Sequence, residues 1–339
     1  MNPRLFIKNI IAGLLYYSCL LNMLSIKKLS GRGFVLMYHR IVRSREQYKN
    51  LIQPGMFVAE ETFEKHIAFL KKKFSIITLD EMVRRIDRGQ SVNRCCSITF
   101  DDGWKDTYEA AFPILKKYQV PASIFLATGY IGTDKWFWPE ELNRCLRMLF
   151  DMRSNHLETG NILKQLNIDL HENKGKNRTE LINDVIERVK GYHPDQRELL
   201  MKRLRGIFPD SSRERLLMNW DEVSQMHESG LASFGAHTVN HVYLDQMEAE
   251  AIRYEICLSK QMIENHLGVP ATLFAYPNGN YTASNIAMLE QNNILGAVTT
   301  RRGYVDKNTP LLEMPRIAMH DDVSRTIPLF FSRLLFSFF

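Results

Sequence analysis

Cysteine is scarce: five residues in a chain of 339, an odd number, with no Cys-x-x-Cys pair. That excludes a disulfide framework and a zinc ribbon. Adjacent Cys95 and Cys96 lie in an apolar run and read as small buried side chains, which favours a reducing compartment. No G-x-S-x-G elbow and no G-x-x-x-x-G-K-[ST] loop occurs, which disfavours serine-hydrolase and P-loop chemistry. Internal repeats and low-complexity tracts are also missing. A mean hydropathy of −0.25 excludes a multi-span membrane protein. What remains is ordinary globular composition, 45% hydrophobic and 24% charged, which rules out a disordered or collagen-like chain. A chain of this length buries roughly 75% of its unfolded surface without help from cross-links. The net charge of +6 comes from Lys and Arg spread along the chain. No nucleic-acid partner is expected; an anionic membrane surface or an anionic substrate fits the charge as well.

Both ends are apolar. Residues 10–26 (IIAGLLYYSCLLNMLSI) carry no charge, with Arg4 and Lys8 before them and Lys27 and Lys28 after. Seventeen residues fall short of the ~20 that a spanning helix needs, and no A-x-A-like cleavage site follows. Residues 327–339 (IPLFFSRLLFSFF) hold five phenylalanines and one arginine. Segments of this kind lie in a membrane interface or dock on a core. The expectation is a membrane-associating segment over 1–30, a domain over 31–325 and an apolar segment over 326–339, attached to the cytoplasmic face of a bacterial inner membrane.

Between the ends, short apolar runs alternate with helical patterns. The runs are 34–38, 96–100, 122–127, 231–236, 271–275, 295–299 and 314–319, with 76–79 a candidate eighth. Helical patterns occupy 61–72, 79–88, 104–118, 221–229, 247–267 and 282–292. The alternation predicts parallel β/α units in the α/β class, as a distorted (β/α)7–8 barrel. Chemistry then belongs on the loops where strands end. Residues 134–218 break the rhythm and read as a mainly helical insertion with a polar centre at 171–179.

Two groups of residues at expected strand ends could carry chemistry. In Thr99-Phe100-Asp101-Asp102-Gly103, adjacent carboxylates stay ionised only beside a cation or donor. Taken alone, the same residues make a plain turn after a strand. In His237-Thr238-Val239-Asn240-His241, imidazoles four apart meet one cation if the segment turns helically. It is not H-E-x-x-H, since position 238 is Thr; taken alone it is a weak signal. Two histidines and one carboxylate together form a facial ligand set with open positions.

At this point the sequence resembles the polysaccharide deacetylase family, also called the NodB-homology domain or carbohydrate esterase family 4. TFDDG (99–103) and HTVNH (237–241) carry the likeness. FVLMYHRI (34–41), VPASIFLATGYIG (120–132), MNWDEVSQMHESGLASFGAHT (218–238) and LFAYPNGNY (273–281) extend it over about 32–320. The resemblance implies a divalent metal, most often Zn2+ with Co2+ or Ni2+ as alternatives, on Asp102, His237 and His241. Asp101 would be the general base. The reaction would remove N-acetyl groups from an amino sugar of a polysaccharide or its lipid-linked precursor, by water activated on the metal. A metal-dependent amidase or esterase with the same site on a non-sugar substrate, or a non-catalytic barrel that only binds glycan, are the alternatives.

The sequence departs from the family in two places. Many members have an arginine at the position of Ala275; here the segment runs Ala275-Tyr276-Pro277-Asn278-Gly279, a variant resembling the exopolysaccharide branch. Arg316 is the candidate replacement cation, or an ordinary surface arginine. Pro277, Asn278 and Gly279 are the candidate substrate or oxyanion segment. The family's C-terminal Leu-x-x-His pattern is not evident, so the acid falls to His39, after the first strand, or to His320, after the last. His39 is preferred, because Tyr38-His39 resembles a pair of the same branch. Trp136, Phe137, Trp138 and Trp220 suit sugar rings or a core equally well. No protein partner is legible.

Overall fold

The computed structural model describes residues 3–48, 51–151, 164, 166, 177–208 and 214–339. Its strands are β1 (Phe34–Tyr38), β2 (Arg40–Val42), β3 (Phe57–Ala59), β4 (Ser75–Ile76), β5 (Cys95–Phe100), β6 (Ala122–Leu126), β7 (Ala232–Ala236), β8 (Leu273–Ala275), β9 (Gly296–Val298) and β10 (Ile317–Ala318). Every residue of β1, β5 and β6 is buried. That is the condition of parallel strands covered on both faces, and it explains why they read as continuous apolar runs.

The eight-stranded sheet runs β10-β1-β5-β6-β7-β8-β9, with β4 beside β5. All its pairings are parallel. An isolated parallel bridge between Val298 and Met314 joins β9 to the residues just before β10. Met314 N–H donates to Ala297 O and Thr299 N–H to Met314 O, both at 2.9 Å, so the ladder closes through Met314. The expected strand at 314–319 shrinks to two residues. Pro315 has no N–H for the ladder, and Arg316 N–H turns to Arg301 O at 2.9 Å. The pair β2–β3 is a separate parallel ribbon with no counterpart in the expected runs.

Helices follow the strands where the periodicity places them, and their starts are chemically marked. Thr78, Asn219 and Thr282 accept from Glu81, Glu222 and Asn285 N–H respectively, and the last two close full capping boxes. The expected helix at 104–118 is divided. A π-turn spans Thr107–Ala111 and an α-helix Phe112–Tyr118, because Pro113 cannot donate to the carbonyl four residues back.

The chain forms two compact units: Met1–Arg45 with Pro54–Thr133 and Arg215–Phe339, and Glu46–Gln53 with Asp134–Glu214. The second is helical among its described residues, with helices Trp138–Asp151, Arg178–Lys190 and Pro194–Ile207. They pack around Leu146, Ile182, Ile186 and Leu204. Most of the polar centre expected at 171–179 lies outside the described residues.

The apolar N-terminal run is not one helix. It divides into Pro3–Tyr17 and Leu20–Lys28, with Cys19 between them in left-handed backbone at φ +61°. The two meet at 83°, and no single described helix is long and apolar enough to cross a membrane. The C-terminal helix Ile327–Leu335 packs against both, and Ala12, Leu329 and Phe339 form a small buried cluster.

Candidate active site

Asp101 and Asp102 close β5. The ladder fixes the first: Asp101 N–H donates to Tyr38 O at 3.0 Å. Then the chain turns, with φ +75° at Asp102 and +82° at Gly103. Aspartate tolerates this left-handed region and glycine adopts it freely. A Cβ on Gly103 would lie 2.9 Å from both Ile131 Cδ1 and Leu126 Cδ2. The turn and the site are therefore the same residues, and the two carboxylates meet different partners.

His237 follows β7, its N–H donating to Leu126 O at 3.0 Å. No helical turn leads from it to His241. Thr238 and His241 take φ of +63° and +52°, and the segment is an irregular bend. A buried carboxylate holds it: Glu255, from helix Ala249–Leu267, accepts Val239 N–H at 2.8 Å, Asn240 N–H at 2.9 Å and Asn240 Nδ2–H at 2.7 Å. Both imidazoles still reach Asp102.

His237 Nδ1 lies 2.7 Å from Ala275 O. A carbonyl only accepts, so Nδ1 carries the proton and Nε2 keeps its lone pair. Nε2 of His237 lies 3.4 Å from Asp102 Oδ1, and Nε2 of His241 lies 3.2 Å from it. Asp102 Oδ1 is buried and without a hydrogen-bond partner; Oδ2 accepts from Trp104 Nε1 at 2.8 Å. One ligating atom from each of Asp102, His237 and His241 lies within 4.8 Å of the others. An orphaned buried carboxylate oxygen facing two imidazole nitrogens is a donor set that fits a divalent ion with open positions.

Asp101 faces Arg316, which is fully buried. Nη1 and Nη2 donate to the two carboxylate oxygens, each at 2.7 Å, the bidentate fork that only arginine makes. Arg316 also donates to Thr99 Oγ1 at 3.0 Å and Thr299 O at 2.9 Å. Burial pushes the Asp101 pKa up; the guanidinium outweighs it and holds the carboxyl below its ordinary value. Arg316 is thus no surface residue, and it brings a cation to Asp101 where Ala275 cannot. His39 Nε2 lies 4.0 Å from Asp101 Oδ2. Burial lowers the His39 pKa against the opposing pull of Asp102 and Asp101. His320 is directed elsewhere, with Nδ1 at 3.4 Å from Asp322.

Pro277–Gly279 forms a 3-10 turn just past Ala275, with Asn278 at φ +57°. Gly279 N–H donates to Tyr276 O and Asn280 N–H to Pro277 O, so these two donors close the turn itself. Trp220 stacks on His266 at 3.8 Å. In the second unit Trp136 Nε1 donates to Glu214 O at 2.9 Å, Phe137 is buried and Trp138 packs against the helical core. All four have protein partners. Glu255, which with Glu248 and Glu250 reads from the sequence as a solvated helix face, is instead buried; it and Trp104, which no motif singles out, support the site. The Trp104 ring lies under the Arg40 guanidinium, 4.5 Å from its centroid, and Arg40 is held by Asp106 at 2.7 Å.

The polysaccharide deacetylase family model matches residues 88–156 and 206–296. The Bacillus subtilis protein YxkH is 20% identical over 292 residues, 86% of this chain and 72% of that one. The poly-beta-1,6-N-acetyl-D-glucosamine N-deacetylase of Staphylococcus epidermidis is 32% identical over 113 residues, 31% of this chain and 39% of that enzyme. Among solved structures, IcaB from Ammonifex degensii superposes with a TM-score of 0.57 at 18% identity, covering 90% of this chain and 97% of that one. At that identity the likeness establishes the parallel α/β fold.

Proposed function

Since this chain belongs to the polysaccharide deacetylase family, we propose that it hydrolyses N-acetyl groups from an amino sugar of a polysaccharide or its lipid-linked precursor, as a metal-dependent enzyme. The observation that carries the reading is one site with two halves: the Asp102–His237–His241 set beside an Asp101 held at both oxygens by a buried arginine.

Asp102, His237 and His241 would hold the ion, Zn2+ first and Co2+ or Ni2+ as substitutes. When bound, such an ion supplies a Lewis acid that makes water a nucleophile near neutral pH and polarises the acetyl carbonyl. The rest is the work of the chain. Arg316 keeps Asp101 ionised and oriented. Asp101 accepts the water's proton at Oδ2, the oxygen that faces His39. His39, kept neutral by burial, takes that proton at Nε2 and passes it to the departing amine. The Asn278 N–H, in a turn whose next two N–H groups are already used, donates to the developing oxyanion. The substrate named for the Staphylococcus epidermidis relative, poly-β-1,6-N-acetyl-D-glucosamine, is the first to try.

The test is acetate release from N-acetylglucosamine oligomers by wild type and Asp101→Asn. The variant should keep its metal and lose roughly 10²-fold or more in turnover, the scale of a positioned base. Loss of metal in Asp101→Asn would overturn the division of roles. Acetate from simple esters, but from no glycan tried, would turn the reading toward an esterase on another substrate.

A further inference from the structure

The N-terminal helix pair exposes apolar surface that its own fold does not use. Among the described residues, nine of the sixteen large apolar side chains left exposed lie between Phe6 and Ile26. They are not scattered. Ile7, Ile10, Leu14 and Tyr17 are spaced by three, four and three residues, which puts them on one face of helix Pro3–Tyr17. Leu14 is 68% exposed and Tyr17 80%. Met23 and Ile26 continue the surface on helix Leu20–Lys28 at 68% and 66%. The opposite face does the packing: Ala12, Leu21 and Leu29 are completely buried. A soluble monomer rarely leaves so much contiguous apolar surface in water.

The charge around this surface has one sign. Residues 1–32 hold Arg4, Lys8, Lys27, Lys28 and Arg32 and no Asp or Glu. The C-terminal helix packed against the pair adds Arg333 and no acid. Lys27 and Arg32 are exposed. A second copy of this chain meeting the face about a two-fold axis would set these cations against themselves with no carboxylate to offset them. An anionic lipid surface supplies the missing charge and accepts the apolar side chains below its headgroups. The 83° bend and the shortness of each helix suit a pair lying in that interface. Helix Leu20–Lys28 leads into the N-terminal end of β1, whereas Asp101 and His237 follow C-terminal strand ends, so the surface and the site are served by opposite ends of the sheet.

We propose that the exposed face of helices Pro3–Tyr17 and Leu20–Lys28 docks in-plane on an anionic phospholipid membrane. This stands independently of the deacetylase reading. The experiment is flotation of the full-length protein with vesicles of phosphatidylcholine containing 30% phosphatidylglycerol, and with phosphatidylcholine alone. Wild type should float with the anionic vesicles, several-fold less with the neutral ones, and less in high salt. The double variant Leu14→Glu/Met23→Glu changes two side chains that already face water. It should lose vesicle binding at least tenfold while keeping the wild-type rate on a soluble glycan. Tyr254→Glu, an exposed residue elsewhere, should bind as wild type does. Equal flotation of the double variant and wild type overturns the proposal. So does a wild type that stays with neither vesicle but is a dimer in solution, made monomeric by the double variant; the face would then be a self-association surface.

Discussion

At the scale of single residues, the site is a set of choices about charge in a dry place. Arg316 is the clearest. Burial raises the Asp101 pKa and the guanidinium lowers it; remove the guanidinium and burial prevails. Arg316→Lys should therefore lose turnover by ~10-fold or more, since one ammonium does not replace the planar fork. The acid limb of its kcat/KM profile should move to higher pH, because the base now protonates more readily. A limb left in place would mean that Asp101 is not the titrating base. His39→Ala should keep its metal and lose kcat by roughly 10²-fold, the general-acid scale, with partial recovery on nitrophenyl acetate, whose leaving group needs no proton. His320→Ala should be milder, in keeping with its pairing to Asp322. Glu255→Ala should release the 238–241 bend and weaken metal binding by ~10- to 100-fold, the usual range for groups that orient ligands; metal titration reads this without an activity assay. The residues of these roles differ in how readable they were. Asp101, Asp102, His237, His241 and His39 stand beside strand ends within short motifs, and Arg316 lies inside the expected run 314–319. Glu255 and Trp104 act by a single hydrogen-bonding pattern onto a backbone or a carboxylate, and no spacing rule announces that.

At the scale of elements, the alternation of apolar runs and helical patterns located most strands and helices, and local backbone exceptions escaped it. The bend at 237–241, the two-residue β10 and the π-turn at Thr107–Ala111 each come from a tertiary partner or a proline that outweighs propensity. Helix Glu60–Lys73 carries another feature invisible in sequence. His66 is buried between Tyr38 Oη, 3.1 Å from Nδ1, and Ser324 O, 2.7 Å from Nε2. Its ring stacks on Phe330 at 3.9 Å. The carbonyl accepts from Nε2–H and the phenol donates to Nδ1, so the ring is neutral, and burial lowers its pKa to about 3. In the unfolded chain His66 protonates near its ordinary 6.5. Stability from this group is therefore present above that value and is lost as pH falls toward 3. Between pH 6.5 and 4.5 the loss is ~2 kcal/mol, the slope approaching about 1.4 kcal/mol per unit. His66→Gln can keep both hydrogen bonds without titrating, so its urea midpoint should fall less over this range. An equal fall in both proteins would show that other groups set the acid sensitivity.

At the scale of the whole molecule, alternation of apolar runs and helices was enough to foresee a parallel α/β sheet curled toward a barrel, because strands buried on both faces leave an unmistakable composition. Its closure through Met314 was not legible, since it depends on one bridge rather than on a run. The fold puts Asp101 and His237 at the ends of β5 and β7, on either side of β6, and the central claim is that the group they frame works only with a divalent ion on Asp102, His237 and His241. The most direct measurement is acetate release from N-acetylglucosamine oligomers by wild type and His241→Ala, each stripped with chelator and then titrated with Zn2+, with bound metal counted in parallel. Wild type should lose its activity on stripping and regain it at about one Zn2+ per chain, while His241→Ala binds weakly and stays inactive. Full activity of the stripped wild type, or wild-type turnover in His241→Ala, would contradict it.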